Sequence, residues 1–178
     1  MQNFDRDAFN EEYLKFAAYT QPIVDAANKI TKPHTAELEK CVDLVLKASR
    51  VDNGEELDYD LLERMAICIP SLCLYIQCKL NEYELRNDVE VAIIETQVVE
   101  ELERIRQAEA KGNAPERLKK AEASQFKSRI VDVLDAQVCS NFKNMIQRAD
   151  KVYEGIKKVL DARARENDFN RKSQKYNT

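Results

Sequence analysis

Apolar residues recur at helical spacing along almost the whole chain, and turn-forming residues interrupt this pattern at few places. Between Ser71 and Ala110 there is no Gly or Pro, and from Glu116 onward the only such residue is Gly155. Apolar steps of three and four residues predict α-helices in both stretches. The segment 111–115, Lys-Gly-Asn-Ala-Pro, predicts a turn between them. We therefore expect an all-α protein with two long helices joined at residues 111–115.

Both long stretches carry a single narrow apolar stripe. The upstream stripe contains Leu72, Ile76, Leu80, Tyr83, Val91, Ile94, Val98, Leu102 and Ile105, with Asn87 at one core step. The downstream stripe is predicted to bury Leu118, Ala121, Phe126, Ile130, Leu134, Val138, Phe142, Met145, Ala149, Val152, Ile156 and Leu160. A narrow stripe suits packing against one neighbouring helix. The prediction is a long antiparallel helical hairpin over residues 61–166.

The segments on either side of this hairpin follow a different pattern. Residues 1–60 predict an N-terminal subdomain of several short helices, interrupted at Pro22 and Pro33, with a turn at 52–54. Pro70 is expected to kink or restart the helix that contains it. Beyond residue 166 the periodicity is lost, which predicts a flexible C-terminal tail over residues 167–178.

The charge is divided between the two halves of the chain. Residues 1–112 contain 23 Asp and Glu against 13 Lys and Arg, whereas residues 113–178 contain 9 against 15. The net charge of the whole chain is −4. An acidic body with a basic helical arm is typical of a protein that grips a polyanion or a protein partner. It is poorly suited to enclosing a small substrate.

A column of basic residues is predicted on one face of the second long helix. Lys151, Lys158, Arg165 and Lys172 recur every seven residues, and seven residues make nearly two helical turns. Further predicted nucleic-acid-binding residues are Arg148, Lys119, Lys120, Lys127 and Arg129. Nucleic-acid backbones attract such cations without a sequence code, and the aromatic rings of Phe169 and Tyr176 are candidates for base stacking. The alternative is a solvated face, partly paired with Glu154, Asp161 and Glu166.

Several apolar residues beside the main stripes need an additional surface to cover them. The predicted oligomer-interface residues are Tyr83, Val99, Ile146 and Tyr153. Either the N-terminal helices fold over the hairpin, or identical hairpins pack side by side as a homo-oligomer. An assembly of identical copies repeats the basic column, so that weak phosphate contacts gain strength through multivalency.

Catalytic and metal-binding patterns are absent from the sequence. There is no Gly-rich phosphate loop of the GxGxxG or GxxxxGK[ST] kind, and nothing beside His34 suggests an activated Cys nucleophile. Cys68, Cys73 and Cys78 are five residues apart, which turns each one ~140° from the last on a helix. They therefore cannot converge on a metal, and small buried apolar residues are the better interpretation. We expect no enzymatic activity, no cofactor and no metal site.

The sequence also predicts a location. No apolar run approaches the ~20 residues of a membrane span, and the acidic start of the chain lacks the apolar region of a signal peptide. The expectation is a cytoplasmic protein without a membrane partner, located in the host cytoplasm if the chain is phage-encoded.

Three segments of the hairpin resemble a known family. They are residues 61–70 (LLERMAICIP), residues 117–124 (RLKKAEAS) and residues 150–165 (DKVYEGIKKVLDARAR). Together with the long charged helix, the Gly-containing turn and the returning helix, they resemble phage recombination mediators of the UvsY type. The resemblance covers roughly residues 60–166. This chain differs from that family in its additional N-terminal residues, its acidic balance and its lack of Trp.

The resemblance implies a function. Members of that family are helical, form ring-like homo-oligomers, bind single-stranded DNA and help load a recombinase onto strands coated by single-strand-binding protein. The basic residues of the second long helix would then contact DNA. From the residues alone, the alternative is a helical structural, scaffold or interaction protein, such as a virion component or chaperone, that docks on protein partners.

Overall fold

The computed structural model describes residues 6–49, 57–108 and 113–176, and for residues 6–16, 19 and 174–176 it describes the backbone alone. These ranges form four α-helices and contain no strand. The helices are α1 (Arg6–Ala48), α2 (Tyr59–Ala108), α3 (Ala114–Ser124) and α4 (Phe126–Tyr176). The predicted all-α class is confirmed.

Residues 6–48, most of the described N-terminal region, form one helix, so the prediction of several short helices there is wrong. Helix α1 has 43 residues and continues through Pro22 and Pro33. A proline lacks the N–H that would bond the carbonyl four residues earlier. Those carbonyls belong to Ala18 and Lys29, and all four residues are exposed. Water can therefore replace the lost hydrogen bonds, which limits the cost of each proline.

Helix α2 likewise continues through Pro70 instead of restarting there. It begins at Tyr59, next to a side chain that satisfies one of its free backbone N–H groups. Asp58 Oδ1 accepts a hydrogen bond of 2.9 Å from the backbone N–H of Leu61. A carboxylate at this position also suits the positive end of the helix dipole. The turn predicted at residues 52–54 lies outside the described residues.

The interruption predicted at residues 111–115 agrees with the helix ends on either side of it. Helix α2 ends at Ala108, and α3 begins at Ala114 after an extended Asn113. Residues 111 and 112 lie outside the described residues.

The sequence did not predict a second break, at Gln125, which separates α3 from α4. Ser124 Oγ donates to the Ala121 carbonyl at 2.7 Å, and the Gln125 N–H donates to the Glu122 carbonyl at 3.2 Å. Such short-range bonds compete with the regular helical pattern. Helix α4 then runs to Tyr176, so residues 167–176 are helical where the sequence predicts a flexible tail.

The chain forms two compact units, each built from two segments that are distant in sequence. Unit 1 comprises Met1–Thr31 and Leu80–Asn141, and unit 2 comprises Lys32–Lys79 and Phe142–Thr178. Each unit therefore combines residues from both sides of the boundary predicted at residue 60.

Unit 2 has a core of large apolar side chains from three helices. Its buried members are Leu38, Val42 and Val45 of α1, Leu62, Ile69 and Ile76 of α2, and Phe142, Met145, Ala149 and Ile156 of α4. At one edge of this core the His34 ring packs 6.1 Å from the Phe142 ring, and its Nδ1 lies 2.9 Å from Tyr75 Oη. The predicted burial of the α4 stripe in unit 2 is confirmed for these four residues of α4, whereas Val152 and Leu160 are half-buried.

The buried apolar side chains that the structure describes in unit 1 are mostly smaller. They are Ala27, Leu80, Ile94, Ala121, Val138 and Cys139. Leu118, Phe126 and Ile130 are exposed, so their predicted burial is wrong. The reason is geometric, because each step of four residues drifts ~40° around the helix axis. Three such steps carry Phe126 ~120° away from Val138.

We predict that Phe142→Ala lowers the free energy of unfolding by about 3–5 kcal/mol, because a fully buried ring leaves a cavity. The control is Phe169→Ala in the same helix, where the ring is 70% exposed and the expected change is below about 0.5 kcal/mol. Urea unfolding followed by circular dichroism measures both variants. Equal losses would contradict the assignment of the core.

Gly155 provides a second test, since it lies inside α4 and an added Cβ would meet no atom within 4 Å. Gly155→Ala should raise the free energy of unfolding by about 0.5–1 kcal/mol through its higher helix propensity. The control is the exposed Ala162, seven residues later in the same helix. Ala162→Gly should lower the free energy of unfolding by a similar amount. A loss of stability in Gly155→Ala would show that the glycine is needed for close packing.

Candidate nucleic-acid interface

Four predicted cations form a row on the outward face of α4 in unit 2. Lys151, Lys158, Arg165 and Lys172 are all exposed, and none of them forms an ion pair with another described side chain. At 100° per residue they lie on the side of α4 opposite the buried Ala149 and Ile156. Successive cations are ~10 Å apart along the helix axis, so the row extends over ~30 Å. We call these four residues the basic row.

Acidic residues alternate with the basic row. Glu154, Asp161 and Asp168 are exposed, and each follows a cation of the row by three residues. Pairs at this spacing attract each other weakly in water. Three carboxylates among four cations lower the positive potential of this face.

An aromatic ring lies within the basic row. Phe169 is 70% exposed, four residues after Arg165 and three before Lys172, so all three side chains share one face of α4. An exposed ring between two cations can stack on a base while the cations contact the flanking phosphates. The side chain of Tyr176, the other predicted stacking residue, lies outside the described residues.

Arg148 does not belong to this row. Its Nη2 donates to Asp43 Oδ1 of α1 at 2.9 Å, and both side chains are about half exposed. Another cation of unit 2, Arg163, is also engaged, since its guanidinium lies 3.9 Å from the centre of the Tyr59 ring and 3.7 Å from Glu63 Oε1. Both arginines therefore link α4 to neighbouring helices.

The remaining predicted cations belong to unit 1. Lys119 and Lys120 lie in α3, and Lys127 and Arg129 lie in the first turn of α4, all of them exposed. Arg129 Nη2 is 3.9 Å from Glu122 Oε1, a long and exposed ion pair. The structure thus divides the predicted nucleic-acid-binding residues between the two units.

The predicted oligomer-interface residues differ in their exposure. Val99 is exposed, whereas Tyr83, Ile146 and Tyr153 are half-buried. The Arg86 guanidinium lies 5.7 Å from the centre of the Tyr83 ring, and Lys157 Nζ lies 5.6 Å from that of Tyr153. Unit 1 has additional exposed apolar residues that were not predicted from the sequence, namely Leu85, Val89, Ile93, Val131 and Val133.

A buried polar cluster in unit 1 was also not foreseen from the sequence. Asp135 is only 1% exposed, and Arg86 Nε lies 2.9 Å from its Oδ2 and 3.2 Å from Glu90 Oε1. Asn87, predicted at a core step, is half-buried and can donate its amide to Asp132 Oδ1 at 3.1 Å. Burial raises the pKa of Asp135, the Arg86 charge opposes this, and Glu90 and Asp132 raise it further.

Two sequence-based expectations need correction, namely the burial of the cysteines and the absence of an apolar stretch long enough to cross a membrane. Cys139 is buried, but Cys68 and Cys78 are exposed, so these two are not the buried residues that the sequence predicts.

Helix α2 contains a stretch long and apolar enough to cross a membrane by length and composition, contrary to the sequence-based expectation. One such helix is weak evidence for a span, because core helices of soluble proteins share these properties.

No protein-family model, curated protein or solved structure matches the chain. The resemblance to UvsY-type mediators therefore rests on the three sequence segments and the predicted order of long helix, turn and returning helix.

The Asp135 cluster generates a prediction about pH. Because the pKa of Asp135 is raised in the folded state, the folded protein binds this proton more tightly than the unfolded chain. Its contribution to stability is therefore largest below the ordinary pKa of about 4 and is lost as the pH rises through the folded-state pKa. Asp135→Asn should melt at a higher temperature than wild type at pH 7, and this difference should shrink toward pH 4.

Thermal melts between pH 4 and pH 7 measure this difference directly. The control, Asp161→Asn, removes an exposed carboxylate of α4 and should leave the pH profile unchanged. If Asp135→Asn is instead less stable than wild type at pH 7, the ion pair with Arg86 outweighs the cost of burying the carboxylate.

Proposed function

We propose that the protein is a non-enzymatic, homo-oligomeric factor that binds single-stranded nucleic acid. In this proposal it acts in the cytoplasm as a recombination mediator, helping to load a recombinase onto strands coated by single-strand-binding protein. The observation that carries the proposal is the basic row on α4 with Phe169 between two of its cations. Unpaired cations and an exposed ring on one face are the elements that sequence-independent strand binding requires.

Contacts in unit 2 support the antiparallel hairpin that would present this row. Arg163 of α4 meets Glu63 of α2 at 3.7 Å. Burial and the charge of Asp150 together raise the pKa of the Cys73 thiol to about 11. Higher residue numbers in α2 thus accompany lower numbers in α4, as expected for antiparallel helices.

Contacts in unit 1 favour the same arrangement. Arg86 of α2 pairs with Asp135 of α4 at 2.9 Å. Further along α2, Ile94 and Glu90 line one pocket with Ser128 and Val131 of α4. Here too the numbering rises in one helix and falls in the other.

Self-assembly would compensate for the modest charge of the basic row. The alternating Glu154, Asp161 and Asp168 leave each copy with weak attraction for phosphates. Several copies bound to the same strand raise the effective concentration of each row, so weak contacts add to a tight complex. Strand binding is therefore expected to depend on assembly.

A second function is favoured by a different observation, the exposed apolar surface of unit 1. Phe126 is 65% exposed and Leu85 is 67% exposed, and further exposed apolar residues lie on the same two helices. Contiguous exposed apolar side chains mark interaction surfaces. A structural or chaperone-like protein would use this surface to dock on a protein partner. Salt discriminates the two functions, because phosphate binding weakens steeply with salt and apolar docking does not.

The test is a triple charge reversal in the basic row, Lys151→Glu, Lys158→Glu and Arg165→Glu. We expect affinity for a labelled oligothymidylate to fall at least about tenfold, since three phosphate contacts become repulsive. Fluorescence anisotropy measures the affinity, and circular dichroism checks that helicity is unchanged.

The matched control reverses three exposed lysines of α1 in the same unit, Lys32→Glu, Lys40→Glu and Lys47→Glu. This control changes the net charge by the same amount as the triple variant of the basic row. It should retain most of the wild-type affinity for the oligothymidylate. For wild type the logarithm of affinity should fall with the logarithm of salt by about 0.7 for each neutralised phosphate. Equal affinity of the row variant and wild type would remove the proposed role of α4.

A further inference from the structure

One apolar face of unit 1 lies on the outer side of α2. Viewed down the helix axis, Leu85, Val89 and Val99 each point within ~40° of one shared direction. The buried Ile94 points in the opposite direction. Their side chains are 67%, 50% and 56% exposed. Ala92 and Thr96 fall between them on the same side and are also exposed. We call these five residues the α2 face.

The α2 face is bordered by acidic residues. Asp88 and Glu95 lie on one side of it, Glu100 lies on the other, and Glu103 lies at its end, and all four are exposed. None of these four carboxylates pairs with another described side chain. An apolar stripe with acidic borders selects a partner whose apolar stripe has basic borders.

Such a surface is present on the other long helix of the same unit. Phe126, Ile130 and Val133 are exposed and lie on one side of α4, away from the buried Asp135. Lys127 and Arg129 border them on either side and are both exposed. We call these three apolar residues, with their two basic neighbours, the α4 face.

We propose that the α2 face of one copy of the chain packs against the α4 face of the next copy. This deepens the proposed function, since it rests on the self-assembly proposed there and names the two surfaces that meet. The alternating apolar and charged positions resemble the seam of a coiled coil, in which bordering charges set the partner and its orientation.

The bordering charges decide between this arrangement and a symmetric dimer. Pairing two α2 faces would oppose acidic borders, and pairing two α4 faces would oppose basic ones. Pairing unlike faces matches the charges and leaves one free face at each end, so more copies can add until a ring closes or a filament grows.

The proposal also changes the role of two residues predicted to bind nucleic acid. Lys127 and Arg129 would hold copies together, whereas the basic row of unit 2 would contact the strand. Charge reversal at Lys127 and Arg129 is then expected to weaken strand binding only through the loss of assembly.

The test uses two complementary variants and no nucleic acid. The acid variant carries Lys127→Glu and Arg129→Glu, and the basic variant carries Asp88→Lys, Glu95→Lys, Glu100→Lys and Glu103→Lys. In each variant both faces have borders of the same sign, so each alone should self-associate at least about tenfold more weakly than wild type. In an equimolar mixture every contact joins unlike borders, and assembly should return.

Sedimentation velocity of wild type, each variant and the mixture measures the outcome, with circular dichroism confirming that each variant is folded. Lys40→Glu with Lys47→Glu is the charge-matched control for the acid variant and should assemble like wild type. The proposal is overturned if wild type is a monomer, if either variant assembles as well as wild type, or if the mixture remains dissociated. Strand binding is measured separately, so loss of that activity with intact assembly would overturn only the nucleic-acid proposal.

Discussion

The main constraint on this structure is that neighbouring helices can cover only a narrow part of the surface of each long helix. Helices α1, α2 and α4 have 43, 50 and 51 residues, and each buries a single stripe of side chains. Among the described side chains, the rest of each helix is exposed or half-buried and forms an outward face. These outward faces are where this chain places its unpaired cations and its exposed apolar residues.

The two units use this arrangement differently. In unit 2 the core contains Phe142 and several Leu, Ile and Val side chains, and the outer side of α4 presents the basic row. In unit 1 a polar cluster around Asp135 occupies part of the interior, and among the described residues fewer large apolar side chains are buried than in unit 2. Large apolar side chains that remain outside can be buried only by another molecule. We assign that role to a second copy because the two exposed faces have borders of opposite charge.

The sequence predicted the helical class, the interruption near residues 111–115 and the buried face of α2 through Ile76 and Ile94, because regular apolar spacing directly reflects helix burial. It failed at Pro22 and Pro33, where tertiary packing and exposed carbonyls let a helix continue. It also failed at Phe126, since a stripe extended in steps of four leaves the buried side of the helix.

The candidate site was predictable in part. Seven-residue spacing placed the basic row on one face of α4, but no spacing rule showed that Arg148 pairs with Asp43 of α1. Long-range ion pairs depend on which helices meet, and one sequence does not record that. Of the α2 face only Val99 was predicted, for the same reason, because exposure becomes known only when the neighbours are in place.

The most direct test of the account is light scattering of the wild-type protein with and without a single-stranded oligonucleotide, at low and high salt. The account predicts a homo-oligomer in the absence of nucleic acid, and a larger complex with the oligonucleotide that dissociates as salt rises. A monomer whose mass is unaffected by the oligonucleotide at low salt would contradict it.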